Sequence, residues 1–228
     1  MNIHYHYQLI RSKKRRKTIS LHVKEDGRII VYAPNRTPNW EIEKFVERKQ
    51  GWISDRLSEK ERIPRPAEKK FLPGEEFLYL GESFPLQIED DPHQRQPLKL
   101  SFGEFILNKR CTEKAKDFFI GWYKKEARQR LSERMDYYSN RLQLFPKGIK
   151  ITSAQSRWGS CSRDNQLCFS WRIIMAPLGV LDYVLIHELA HIKEKNHSIR
   201  FWSYLESILP DYKKHRRWLR EHESRLRL

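Results

Sequence analysis

The chain has 228 residues, and its 45 Lys+Arg against 29 Asp+Glu leave a formal net charge of +16 at pH 7. A hydrophobic share of 39%, with 12% aromatics, is enough for a packed core and excludes a globally disordered chain. No run approaches the ~20 consecutive apolar residues of a membrane span, and no unbroken apolar stretch forms a secretory leader, so a soluble cytoplasmic protein with no membrane partner is expected.

In chain order, IHYHYQLI alternates polar and apolar residues as a half-buried strand does. KTISLHV and RIIVYAP flank Glu25-Asp26-Gly27, and an Asp-Gly pair between such runs predicts a hairpin. The basic block RSKKRRK over residues 11–17 is compatible with a hairpin loop, a solvated face or a contact for polyanions. Thr37-Pro38 predicts an N-cap followed by proline in the first turn of a helix. Its apolar positions are Trp40, Ile42, Phe45, Val46, Trp52, Ile53 and Leu57, with an imperfect middle around Gly51. Ile63-Pro64-Arg65-Pro66 then stops the helix and opens a linker.

EEFLYLGESFPLQIE, LKLSF and EFILN read as short strands, and Thr112 to Leu144 as a helix, with Phe118, Phe119, Trp122, Tyr123, Ala127, Leu131, Met135, Tyr138 and Leu142 recurring at three and four. IKITSAQSRWGSCSRDNQLCFSWRII predicts two strands joined by a polar loop. After Ala176-Pro177 come a helix through GVLDYVLIHELAHI, a second over SIRFWSYLESIL, and a basic terminal helix. The fold class is α+β: a β-rich region with one helix over 1–110, then a domain over 111–228 with a small sheet. The boundary is expected between Asn108 and Lys116.

The informative residues are His187-Glu188-Leu189-Ala190-His191. Side chains four apart share a face of a helix with about 3.6 residues per turn, so both imidazoles can hold one metal ion. Glu188 points differently but can reach a water on that ion as general base. About 0.03 HExxH matches are expected by chance at this composition. A zinc site needs a third protein ligand. His197 gives the spacing His187-x3-His191-x5-His197, with Glu206, His215 and His222 as alternatives. The histidine spacing matches metzincin peptidases, but Glu194 stands where they carry the glycine that turns the chain back, and no methionine follows His197. Asn196 is then the residue best able to reverse the chain, through a left-handed conformation. The three cysteines, Cys111, Cys161 and Cys168, exclude a disulfide framework and lack the paired spacing of a zinc ribbon.

Residues 149–219, with SRWGSCS, APLGVLDYVLIHELAHIKEKNHSIRFW and PDYKKHRRWL, resemble the YgjP-like metallopeptidase family, which is related to the SprT and WLM zincins. RSKKRRKTISLHVKEDGRIIVYAP is similar to the family's front end, so the resemblance covers most of the chain. One departure is Ser170, where an asparagine is expected before Trp171; it touches one local hydrogen bond. The resemblance implies a zincin-like domain built on the HExxH helix. It also implies a zinc-dependent hydrolase with His187, His191 and His197 as ligands and Glu188 as catalytic base. In related zincins a strand before the metal helix pairs with extended substrate, and LCFSW fits that place.

Beyond these residues, Arg157 offers a fork of donors for an oxyanion or a substrate carboxylate or phosphate, against an internal ion pair with Asp164 or Asp182. Tyr212 and His215 stand as transition-state donors over the zinc, or as structural residues. Cys161 is a reactive thiol, an inhibitory zinc ligand or a small packed residue. Trp171, Phe201, Trp202 and Trp218 are expected as core around the metal helix. The leading function is a zinc peptidase acting on protein or peptide through a Glu-activated water, with nucleic acid as a further partner of the basic surface. The alternatives are a zinc-dependent hydrolase of nucleoside triphosphates and a nucleic-acid-binding module with structural zinc.

Overall fold

The computed structural model describes residues 5–13, 15–24, 26–62 and 68–228. The helix stop and linker expected at Ile63-Pro64-Arg65-Pro66 lie outside them, as does Glu25. Among the described residues the architecture is mixed α+β, with six α-helices and three sheets. The chain forms two compact units, residues 1–65 and 66–228.

In the first unit, β1 (Tyr7–Ser12), β2 (Ser20–Val23) and β3 (Ile29–Pro34) make a sheet of order β1-β3-β2. The Asp-Gly hairpin forms: β2 runs antiparallel to β3 from Val23 opposite Ile29, and Gly27 takes φ +83°, open to glycine at little cost. β1 lies on the other flank of β3 and parallel to it. The basic block therefore joins strands that do not pair with each other, and it is not a hairpin loop. Arg11 spends its guanidinium on the chain, donating to the carbonyls of Pro34, Asn35 and Thr37 and to Asn39 Oδ1. β3 is the central strand and is buried along most of its length. It packs with Ile42, Val46 and Ile53 of two helices, α1 (Asn39–Arg48) and α2 (Gln50–Arg62). The break between the helices falls at Lys49, beside the imperfection around Gly51. Pro38 itself occupies the N-cap of α1, one position earlier than expected. The apolar stripe is narrower than its sequence pattern, because Trp40 and Trp52 are exposed.

The second unit opens with β4 (Glu76–Tyr79), β5 (Glu82–Glu89), β6 (Leu98–Ser101) and β7 (Glu104–Asn108), in the order β4-β5-β7-β6. EEFLYLGESFPLQIE is thus two strands folded back at Leu80-Gly81, both with positive φ, as two-residue hairpins require. That turn is pinned from outside: the amides of Leu80 and Gly81 donate to the carbonyls of Ile174 and Met175, and a Cβ on Gly81 would lie 2.8 Å from Pro177 Cγ. Phe77, Leu86, Phe105 and Leu107 form one core with Phe119, Tyr123, Ala127 and Leu131 of α3 (Ala115–Leu142), where Phe77 stacks on Phe119 at 4.1 Å. This shared core is why the compact units part at 65/66, whereas the sequence pattern set the boundary between Asn108 and Lys116.

A three-stranded sheet follows, of order β8-β10-β9, from β8 (Gly148–Thr152), β9 (Gly159–Cys161) and β10 (Gln166–Ser170). β10 pairs with β8 in parallel and with β9 in antiparallel fashion. LCFSW therefore lies in the central strand without a free edge, and the edge strands are β8 and β9. Ser170 supplies a local hydrogen bond of its own, its hydroxyl donating to the Ala154 carbonyl at 2.8 Å. Beyond a buried 3-10 segment, Trp171–Met175, the chain enters α4 (Leu178–Lys193), α5 (Ile199–Ile208) and α6 (Tyr212–His222).

Candidate metal centre

α4 is apolar around most of its circumference, which drives it into the interior on nearly every side. Asp182, one of its buried polar residues, is met by α3: Arg134 Nε donates to Asp182 Oδ1 at 2.7 Å, and Arg134 Nη2 and the Tyr138 hydroxyl both reach Oδ2. The helix is thereby fixed in rotation, one turn before His187.

His187 and His191 project from the C-terminal half of α4, and the chain then doubles back. Glu194 leaves the helix in an extended conformation, φ −120° and ψ 97°, and the Ser198 amide closes a tight turn on the Asn196 carbonyl at 2.8 Å. Neither Glu194 nor Asn196 is among the residues with positive φ, so the reversal uses no left-handed residue. Lys195 holds this turn to the loop after β9, its Nζ donating to Asn165 Oδ1 and to the Ser162 carbonyl.

The result is that His197 swings beneath the helix. Its Nε2 lies 2.9 Å from His187 Nε2 and 3.2 Å from His191 Nε2. These three residues make the group able to hold a metal ion among the described residues, with ligand atoms within 4.8 Å of one another. The donor chemistry fits a cation. The Glu194 carbonyl, 2.9 Å from His191 Nδ1, can only accept, so the proton sits on Nδ1 and Nε2 keeps its lone pair. Burial first, then the neighbouring histidines and Arg216, push His187 down to about 3, and His197 is lowered by the same kinds of cause. Both are neutral imidazoles at neutral pH, the form that binds metal. Phe201 stacks under His191 at a ring distance of 4.5 Å and fixes its plane.

Glu188 is buried beside this group. Burial pushes its carboxyl up to about 8, and the Arg157 guanidinium pulls it partway back without an ion pair among the described residues. The edge strand β9 passes directly over it: a Cβ on Gly159 would lie 2.6 Å from Glu188 Oε1. Glycine is required there by the close approach of backbone to carboxylate.

The other expected residues separate. Arg157 is exposed next to Glu188, and neither acid suggested for it is available: Asp164 pairs with Lys147 and Asp182 with Arg134. Tyr212 is buried and stacks on Trp202 at 5.5 Å. His215 pairs with Asp211 at 3.2 Å and packs against Gly179, behind Tyr183, so it belongs to the contact between α4 and α6. Glu206 pairs with Lys213, and His222 stacks on Trp218, which removes both as third ligands. Cys161 has its thiol raised first by burial and lies 3.9 Å from Lys195 Nζ. Trp171 and Phe201 are core, whereas Trp202 is half-buried with its ring 5.6 Å from that of His197. Sequence reasoning missed Arg216, which lies over Trp202 with its guanidinium carbon 5.0 Å from the ring centre. Its only local signal is a place in the basic run KKHRR.

A family model described as YgjP-like, metallopeptidase domain, matches residues 17–222. Among solved structures, the metallopeptidase zymogen of Pyrococcus abyssi abylysin aligns at 21% identity and a TM-score of 0.36, over 39% of this chain and 91% of that one. No curated protein matches.

Proposed function

Because the chain belongs to the YgjP-like metallopeptidase family, we propose that it is a zinc-dependent peptidase of zincin type, with His187, His191 and His197 holding the ion and Glu188 as catalytic base. The observation that carries this reading is the convergence of three imidazole Nε2 atoms beside a buried carboxylate on the same helix. Imidazole nitrogens suit zinc better than the hard cations that prefer oxygen, and three protein ligands leave a position for chemistry. When bound, zinc would supply Lewis acidity, polarising a carbonyl and making a water markedly more acidic.

The chain's own residues do the rest. Glu188 takes the proton of the attacking water and delivers it to the leaving amine, and its burial suits it to hold that proton in between. Of the two edge strands, β9 is the one whose Gly159 lies close to Glu188, so it offers the edge on which an extended peptide can pair. Arg157 stands two residues before Gly159 to bind the carbonyl oxygen as charge develops on it.

No helix among the described residues is long and apolar enough to cross a membrane. The cytoplasm is the proposed compartment, where free Cys111, Cys161 and Cys168 stay reduced, and the net positive charge brings nucleic acid to the surface. Among the described residues no second group of three metal-ligating side chains accompanies the histidines, which disfavours a Mg²⁺-nucleotide hydrolase.

The test is digestion of an unfolded protein by zinc-loaded enzyme, with and without single-stranded DNA. Cleavage is expected to stop on chelation and return with added zinc. DNA is expected to raise the rate. No cleavage by protein confirmed to hold zinc removes the peptidase reading and turns attention to nucleoside triphosphates. A second outcome concerns Gly159→Ala. Its Cβ displaces the Glu188 carboxylate, so turnover falls by about 10²-fold while zinc content, read by atomic absorption, stays at the wild-type level.

A further inference from the structure

The terminal helix α6 is strongly basic, but its charges are not equivalent. Lys213 is committed to Glu206 at 3.0 Å, and His215 to Asp211 at 3.2 Å. Arg216 forms no ion pair or hydrogen bond among the described residues. Its guanidinium is instead laid over the Trp202 indole at 5.0 Å. Trp202 is held in turn by Tyr212, stacked on it at 5.5 Å with planes 21° apart, and abuts the rings of His197 and His187 at 5.6 and 6.0 Å. A guanidinium held over an aromatic ring by cation–π attraction, and not consumed by an ion pair, offers a fork of N–H donors that matches a carboxylate.

Electrostatics agree with this placement. Imidazole ligands bring no negative charge, so a divalent ion there would keep its full charge, and Arg216 at Trp202 and Arg157 near Glu188 add to it. Glu188 is the one acidic group that the histidine helix contributes beside the cluster, and it is committed to proton transfer. An anionic group on the substrate relieves this excess of positive charge, and a neutral one does not.

We propose that Arg216 is a specificity-determining residue that binds a carboxylate of the peptide substrate, either an acidic side chain or the chain end, beside the three-histidine centre. The proposal rests on the peptidase reading for its substrate class, and its test uses binding so that the two can fail separately. The protein is the full-length Glu188→Gln variant, loaded with zinc. The ligands are matched peptides carrying Asp or Asn at one position, each with a free or an amidated C-terminus. Affinity is read from Trp fluorescence and confirmed by calorimetry.

Peptides with the recognised carboxylate are expected to bind roughly ten-fold tighter than their amide counterparts. The Asp/Asn comparison and the free/amidated comparison tell which carboxylate it is. Arg216→Gln in the same background is expected to erase the preference, and Arg216→Lys, which keeps the charge and loses the fork, to restore only part of it. Equal affinities across the set, a preference that survives Arg216→Gln, or no binding of any peptide would overturn the assignment. If the preference depends on Arg216 but the enzyme with Glu188 intact cuts none of the peptides, the carboxylate site stands and the peptidase reading falls.

Discussion

Replacing Glu188 with glutamine lowers peptide turnover by about 10²–10⁴-fold, the usual worth of a positioned general base, and leaves zinc stoichiometry unchanged. The substitution is nearly isosteric, so the side chain still fits against Gly159, where there is no room for even a Cβ, and β9 need not move. The three Nε2 atoms come from other residues, and the Nδ1–H of His191 is oriented by a backbone carbonyl that the substitution does not touch. What is lost is the capacity to take up a proton, since an amide is not a base at any accessible pH. The decisive pair of measurements is kcat on an unfolded substrate and zinc content on the same preparation. Wild-type turnover in the variant would rule out Glu188 as the base, and loss of zinc would show that it serves the ligand set instead.

The largest effect on stability is expected at Arg134. Arg134→Met leaves the Asp182 carboxylate, whose side chain is 10% exposed, with the Tyr138 hydroxyl as its remaining partner. Breaking a buried pair from one side costs about 3–5 kcal/mol, because the charge left behind is neither solvated nor neutralised. Urea denaturation is expected to show a lower midpoint with an unchanged slope. The double variant Arg134→Met/Asp182→Asn is expected to recover much of the loss, since no charge is then stranded. A single variant as stable as the wild type would mean that water already reaches Asp182.

Much of this molecule is legible where the controlling interaction is local. Asp26-Gly27 marks its hairpin because only a few residues tolerate positive φ. The set His187, Glu188, His191 and His197 is legible because one helical turn and one short reversal bring the side chains together within eleven positions. Features that depend on distant partners are hidden. Leu80 gives no turn signal, yet it takes φ 50° because the turn is docked on Ile174 and Met175. LCFSW has the composition of any inner strand, and nothing in it tells that β9 rather than β10 holds the edge. The boundary near residue 110 reads well as a change of pattern, yet Phe77 and Phe105 sink into the same core as Phe119. Trp40 and Trp52 match the apolar spacing of their helix and still face solvent. Arg216 is invisible in a run of like charges until Trp202 singles it out.

The reversal that returns His197 to its helix makes the ligand set nearly local in the chain, because few residues separate the ends of the loop it closes and the entropy of closing it is small. Glu188, the proposed base, has no such independence: the backbone that hems it in comes from Gly159, nearly thirty positions earlier, through the sheet. Ion retention and catalytic competence thus rest on contacts of very different sequence separation. On the proposed assignment, a preparation in which the sheet is damaged can carry a full complement of metal and still be inert, so stoichiometric zinc would certify the short segment proposed to bind it and not the enzyme.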